Sequence, residues 1–328
     1  MARFKRFTRF FFHALFALLV IGGAAWSATA LWLHLAGGVR IAALTVLGLG
    51  ALGAFIARYN RRRLGWLVLA TGVLIVGGWY QTITPRDNRD WAAEVSRGVT
   101  AQVDGNRVTL SNIRDFDWHT KTDATERWIT KTYDLDQLAS LEMITSVWDN
   151  PDIAHLLVSF GFDDGEHVVY SVEIRREEGE KFNEVGGFFR QFELVLVAAT
   201  ERDIVRLRTD VRQEEVRLYP VNLTPEQRRE MFMSYVSLAQ RLEKKPEFYN
   251  TISANCTTAV YRLALSLKSD LPVNWRLVMS GRLPEYLNDL GVLGGQGSVD
   301  ERRTHALIMA NAQAAHPGLS YSKAIRAR

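Results

Sequence analysis

Two patterns of apolar positions divide the chain. From Phe10 to Tyr80 apolar residues run almost without interruption. After Tyr80 they alternate with charged and polar ones, at period two in some stretches and near 3.6 in others, as in a water-exposed domain with its own core. Three runs in the first region, Phe10 to Ala36, Ile41 to Ala57 and Leu64 to Tyr80, have the composition of membrane-spanning helices, the last two at the short end of spanning length. A cleaved signal peptide is the rival for the first run, but the run is long and two more follow it. A buried helical hairpin is the rival for the other two, and their Gly/Ala-rich, charge-free composition opposes it.

Basic residues then set an expected orientation. Arg3, Lys5, Arg6 and Arg9 precede the first span, and Arg58, Arg61, Arg62 and Arg63 lie between the second and third, whereas the intervening loop has only Arg40. Basic loops stay cytoplasmic, which predicts an inside N-terminus and an outward-facing region after Tyr80. Gly48, Gly50 and Gly53 match a dinucleotide-binding spacing, but inside an apolar span and with no preceding strand they predict close helix packing instead.

The second region predicts a mixture of strands and helices. Thr84 to Ser96 reads as a linker leading to an amphipathic stretch around Trp91, and Arg107 to Leu110 as a short strand. Tyr133 to Trp148 reads as a helix or turn, because Leu135, Leu138, Leu141 and Ile144 recur at helical spacing. Ile153 to Phe162 and Glu166 to Arg175 form a hairpin around Asp163-Asp164-Gly165. A three-residue loop with Gly in the left-handed region pairs Phe162 with Glu166, and counting back puts His155 opposite Glu173. A loop of two or four residues would place those two side chains on opposite faces. Glu193 to Thr200 and Val216 to Val221 read as strands. Thr224, Pro225 and Glu226 begin a helix that runs to about Lys244. Asn274 to Leu290 is helix-like, interrupted by Gly281 and Pro284.

Composition narrows the chemistry. A net charge of +4, much of it beside the apolar runs, gives little support for a nucleic-acid partner. A single cysteine, Cys256, excludes an internal disulfide and argues against a Cys-based metal site. Cys256 follows the polar run Ser253-Ala-Asn255 and opens the apolar-periodic segment Ala259 to Leu267, so it stands at a predicted helix start, where free N–H groups and the dipole favour thiolate. It reads either as inert packing or as a nucleophile. His155 is either a core histidine or the base, and Glu173 either pairs with Arg175 or Arg190 or orients that base. Asn255 and Thr257 flank the thiol as support for an oxyanion beside the helix N-terminus. Asp163-Asp164 is turn chemistry rather than a metal site. No cofactor or metal is expected.

Several separated blocks, in order, carry a resemblance: Ala154-His-Leu-Leu-Val-Ser-Phe-Gly-Phe-Asp-Asp-Gly165, Ser171-Val-Glu-Ile-Arg-Arg-Glu177, Phe189-Arg-Gln-Phe-Glu-Leu194, Glu201-Arg-Asp-Ile-Val-Arg-Leu-Arg-Thr209 and Phe248-Tyr-Asn-Thr-Ile-Ser-Ala-Asn-Cys-Thr-Thr258. From about Asn112 to Leu290 the chain resembles the Lnb N-terminal periplasmic domain family. The resemblance implies an α+β, circularly permuted papain-like (NlpC-like) thiol enzyme, in which the His strand precedes the Cys helix. It also implies acyl transfer through a Cys256 thioester, with His155 moving the proton and Glu173 orienting His155. Phospholipid is the implied donor and a lipoprotein amino terminus the implied acceptor. The expected organisation is a three-helix membrane anchor (1–80), a linker and lead-in (81–111), the thiol-enzyme domain (112–290) and a flexible tail (291–328). The expected location is a bacterial inner membrane with the catalytic domain periplasmic. A cysteine hydrolase or amidase on peptidoglycan or lipid, and a non-catalytic envelope-binding module, are the alternatives.

Overall fold

The computed structural model describes residues 2–314 and 318–327, with only the backbone described for residues 2–6 and 9. The side chains of Arg3, Lys5, Arg6 and Arg9, on which the expected orientation partly rests, therefore lie outside the described residues. The chain forms two units, residues 1–85 with 184–191, and residues 86–183 with 192–328.

The first unit holds helices α1 (Ala2–His34), α2 (Gly37–Asn60) and α3 (Arg62–Gln81), with the short α4 (Glu184–Phe188). The apolar parts of the three long helices are 25, 24 and 20 residues, or roughly 30–38 Å at ~1.5 Å per residue, enough to cross a hydrocarbon core. Leu18, Ile21, Leu49, Val73 and Leu74 stay exposed on their outer faces, as lipid-facing side chains do. Helices α2 and α3 extend beyond the runs read from hydropathy, so the expected basic loop shrinks to Arg61, and Arg58 becomes a helix residue. Arg58 is buried, with its guanidinium over the rings of Phe16 and Trp66. The expected close packing at Gly48, Gly50 and Gly53 is not present, since nothing lies within 4 Å of a Cβ built at any of them. Ala54 and Ala57 make the buried stripe of α2, and the close approach falls at Gly65, where a Cβ would sit 2.7 Å from that of Arg58.

The second unit is α+β. Its strands are β1 (Thr100–Asp104), β2 (Arg107–Arg114), β3 (Asp117–Trp118), β4 (Ala124–Thr125), β5 (Trp128–Asp134), β6 (Leu138–Val147), β7 (His155–Phe162), β8 (His167–Arg175), β9 (Glu193–Ala199) and β10 (Glu215–Pro220). The main sheet has the order β1-β2-β9-β8-β7-β6-β10, with β5 also on β2. It is mixed, because β2 and β9 run parallel while the other pairs are antiparallel. Alternation assigns its faces. Leu194, Leu196 and Ala198 of β9 face one core with Phe160, Tyr170 and the helix α6 (Pro225–Lys244). Val195, Val197 and Ala199 face a second core with α5 (Glu201–Arg206) and with Ile308 and Ile325 from the C-terminal region.

Three expectations change. Strand β6 occupies the stretch read as helix or turn. Its register against β7 slips between Leu138 and Ser140, so Ala139 is an extra residue. That bulge puts Leu138 and Leu141 in the same core despite odd spacing, which imitates a helical period. The lead-in 81–111 carries more than the one short strand expected at Arg107 to Leu110, because β1 as well as β2 lies in the main sheet, the two joined by a tight turn with Gly105 at φ +57°. The stretch 291–328, expected as a flexible tail, packs onto the domain through its described part: Leu293, Ile308 and Ile325 are buried, and Leu293 and Leu307 bridge to Val221 and Arg217. Its apolar residues are too scattered to show a period, yet Leu293 packs at the β10 edge and Ile308 and Ile325 fill the second face.

Candidate functional site

The hairpin β7–β8 forms with the expected register. Phe162 receives the Gly165 N–H and donates its own to Glu166, and Gly165 takes φ +82°. Leu157 pairs with Ser171 and Gly161 with His167, so the same count places His155 opposite Glu173. The side chains meet: His155 Nε2 lies 3.0 Å from Glu173 Oε1 and 2.8 Å from Ser171 Oγ, and the Ser171 hydroxyl donates to Glu173 Oε1 at 2.6 Å. Ser171 and Glu173 are two apart on one strand and share the face that α5 covers. The turn of π-type helix that continues α5, Leu207–Val211, delivers Arg208 there. Arg208 is buried, pairs with Glu173 Oε1 at 3.3 Å and bonds the Ile204 carbonyl at 2.8 Å.

Cys256 is the first residue of α7 (Cys256–Ala264). The preceding loop is pinned to β9 by Leu194 N–H to Glu247 O and Tyr249 N–H to Phe192 O. A tight turn then returns Ala254 to Asn250. Asn255 caps the helix: its Oδ1 accepts from the N–H groups of Thr257 (3.0 Å) and Thr258 (2.8 Å), and its Nδ2 donates to Thr251 O at 2.7 Å. Asn255 and the Thr257 N–H are thus committed to each other, and they position the turn. The cap leaves the N–H of Cys256 uncommitted, and the Thr257 hydroxyl is 3.9 Å from Sγ.

The thiol and the imidazole are close enough for each to shift the other's titration, and the Leu156 N–H acts on the sulfur in the same direction as the imidazole. With Nε2 given to Glu173 and Ser171, Nδ1 is the ring nitrogen left for the thiol. Burial opposes a charged imidazole, but the Glu173 carboxylate first and the neighbouring Cys256 second outweigh it, and the His155 pKa is raised to about 9. Burial would push Glu173 up, but His155, Arg208 and Ser171 hold it well below the usual carboxylate range. Burial also raises the Cys256 thiol, and His155, the Leu156 N–H and Thr257 bring it below its ordinary value. All three shifts favour a thiolate–imidazolium pair beside a carboxylate.

His155 opens its strand on a second support that the sequence reading did not find. Ser280 Oγ accepts the Ala154 N–H at 2.8 Å and donates to the Ala154 carbonyl at 2.6 Å, while Gly281 N–H bonds Asp152 O at 2.9 Å. A Cβ at Gly281 would collide with the Pro151 carbonyl. Arg208 was also missed. Ser171 carried a signal, its even spacing from Glu173, whereas Arg208 is one of several arginines in a charged stretch. Glu173 pairs with Arg208, a partner that neither reading of it named. Among the described residues no group of three His, Cys, Asp or Glu side chains is placed to hold a metal.

Beside the thiol lies an apolar cavity of about 200 Å³. Its walls include Leu141 and Met143 of β6, Leu156 and Val158 of β7, and Thr257 and Val260 of α7. Cys256 packs against the cluster that supplies one end of it, around Met143, Leu156 and Tyr286.

No curated protein and no solved structure matches the chain. Three helices long and apolar enough to cross a membrane, followed by a domain of periplasmic type, fit an envelope-associated membrane protein with a periplasmic domain. Residues 124–281, which hold Cys256, His155, Glu173 and both supports of the site, match the family model of the Lnb N-terminal periplasmic domain, the family that the sequence blocks resemble.

Proposed function

We propose that this protein is a membrane-anchored cysteine acyltransferase that carries an acyl chain as a thioester on Cys256. The observation that carries the reading is an apolar cavity lined by Leu156 and Thr257, the chain neighbours of His155 and Cys256. A thiol hydrolase acting on peptidoglycan needs a polar groove at that place, whereas a lipid acyl chain needs an apolar slot. The order of hairpin, then Cys helix, agrees with the permuted papain-like arrangement that the family resemblance implies.

In the first half-reaction the Cys256 thiolate attacks the ester carbonyl of a phospholipid. The oxyanion forms beside the Cys256 N–H at the helix start. The C–S bond forms, the C–O bond breaks, and the lysophospholipid alkoxide leaves with the proton of the His155 imidazolium. In the second, an amine attacks the thioester, His155 takes its proton, the thiolate departs and an amide remains. Glu173 holds the ring with Nδ1 toward the sulfur throughout, and Arg208 and Ser171 hold Glu173. The acceptor in this reading is the amino terminus of a lipoprotein. The N-terminus lies in the cytoplasm, and the inner-membrane spans deliver lipid to a periplasmic site.

Intact mass of the full chain after incubation with phospholipid vesicles tests it. An acyl adduct that is absent in Cys256→Ala, and that moves to the amine of a synthetic lipopeptide, is the expected result. Free fatty acid released with no adduct and no acylated peptide points to hydrolysis. The absence of any adduct or product refutes thiol catalysis on lipid.

A further inference from the structure

The cavity has a direction, and its two ends differ. Leu156, which follows His155 on β7, packs with Met143, Leu277, Leu283 and Tyr286 in the cluster that also receives Cys256. Two residues further along the same strands, Val158 and Leu141 belong to the main core, against which Met231, Ala264 and Leu267 pack. Cys256 apart, all of these side chains line the one cavity, and Thr257, the neighbour of Cys256, lines it too. Each strand therefore advances the cavity wall by two residues, about 7 Å, away from the thiol. Helix α7 runs the same way: Thr257, Val260, Tyr261 and Ala264 line the cavity at helical spacing, and Ala264 lies about 12 Å along the axis from Cys256. Beyond Ala264 the lining continues with Leu267, Lys268 and Leu271, of which Lys268 carries a charged end.

We infer that the cavity measures the acyl chain, with Ala264 and Leu267 setting the length that is accepted. The inference rests on the thioester reading above. A chain bound through its carbonyl at Cys256 runs along α7 past Val260 to Ala264. Each methylene that enters apolar surroundings favours binding by about fourfold. Methylenes that extend past Leu267 meet Lys268 and gain much less. Ala264 is the small residue on this face of the helix, so a large side chain there closes the slot short of its end. Leu267, the next apolar residue of the wall, is a position where truncation lengthens the slot.

The test uses the full chain in lipid nanodiscs, supplied with an equimolar mixture of phosphatidylglycerols carrying two identical acyl chains, from octanoyl to octadecanoyl. Intact mass reads the distribution of adducts on Cys256. Ala264→Phe is expected to lower the longest adducts at least tenfold relative to the shortest, and Leu267→Ala to shift the distribution toward longer chains. Iodoacetamide labelling of Cys256 at the wild-type rate shows that the site is intact in each variant, and if Ala264→Phe does not fold, Leu267→Ala decides alone. Wild-type adducts whose chain distribution moves in neither variant overturn the ruler and leave the thioester reading standing. No adduct on wild type overturns both.

Discussion

Glu173→Gln keeps the shape of the orienting side chain and removes its charge. In the intact site His155 has its pKa raised from 6.5 to about 9, against the effect of burial, by Glu173 first and Cys256 second. At ~1.36 kcal/mol per pH unit that is about 3 kcal/mol of preference for the imidazolium, spread over a coupled site. His155 and Glu173 are only 15% and 21% exposed, so solvent screens little of it. If Glu173 supplies half, its loss costs the thiolate–imidazolium pair ~1.5 kcal/mol, about tenfold in population near neutral pH. The assay is the rate of iodoacetamide alkylation of Cys256 as a function of pH. In wild type the ion pair supports alkylation from below the ordinary thiol pKa of 9.0, and the imidazolium is lost only as pH rises through about 9. In Glu173→Gln the imidazolium deprotonates at lower pH. The rate near pH 7 therefore falls about tenfold, and the profile approaches that of a simple thiol. Superimposable profiles would refute the reasoning, because Glu173 would then have no hold on the His155 charge.

Other consequences follow from packing. Gly281→Ala forces a methyl against the Pro151 carbonyl at the run-in to His155, so a loss of ~1–3 kcal/mol and a fall in Tm of roughly 2–12 °C are expected in a thermal melt. Tyr235→Phe removes a buried hydroxyl that has no hydrogen-bond partner while keeping the ring stacked on Tyr170. Leaving such a group unpaired costs ~1–3 kcal/mol, so calorimetry is expected to show a Tm raised by roughly 2–12 °C, and a lowered Tm contradicts it. Arg326→Ala leaves Glu201, fully buried and otherwise doubly paired by Arg326 at 2.7 and 2.8 Å, without its counter-ion. The expected cost is ~3–5 kcal/mol. Glu201 has its pKa lowered in the intact protein by hydrogen bonding and charge from Arg326, against burial. Wild type therefore gains this stability above the ordinary carboxylate pKa of 4.5 and loses it as pH falls. The Tm gap between wild type and variant is expected to narrow on acidification, and a gap that widens refutes the assignment.

The parts of the site that were legible in the sequence are those set by local rules. Asp163-Asp164-Gly165 fixes a loop length, the loop fixes the register, and the register puts His155 against Glu173. Asn255 and Thr258 mark a helix start through a capping box, so the position of Cys256 is local too. What the sequence hid depends on distant pairs. Arg208 reaches Glu173 only because α5 crosses the sheet's second face, and Ser280 reaches Ala154 across 126 residues. The strand β6 was hidden for a different reason, since one bulged residue at Ala139 turns a period of two into an apparent helical one. The cavity was invisible because it is a space between β6, β7, α6 and α7, and no single element carries its outline.

The hairpin that joins base and orienter has a genetic consequence. Facing in a strand is a matter of parity, so losing or gaining one codon within Asp163-Asp164-Gly165 turns Glu173 from the face that His155 shares to the opposite one. The buried alternation of β8 would be inverted with it, setting Val168, Tyr170 and Val172 against the second core. Changes of that size are tolerated in most surface loops, yet here a three-nucleotide indel acts on chemistry and core together. Point substitutions in the same loop are expected to drift freely while its length stays fixed, which a deep library of turn variants, sorted for expression and for thiol reactivity, would display as a sharp dependence on length and a shallow one on identity.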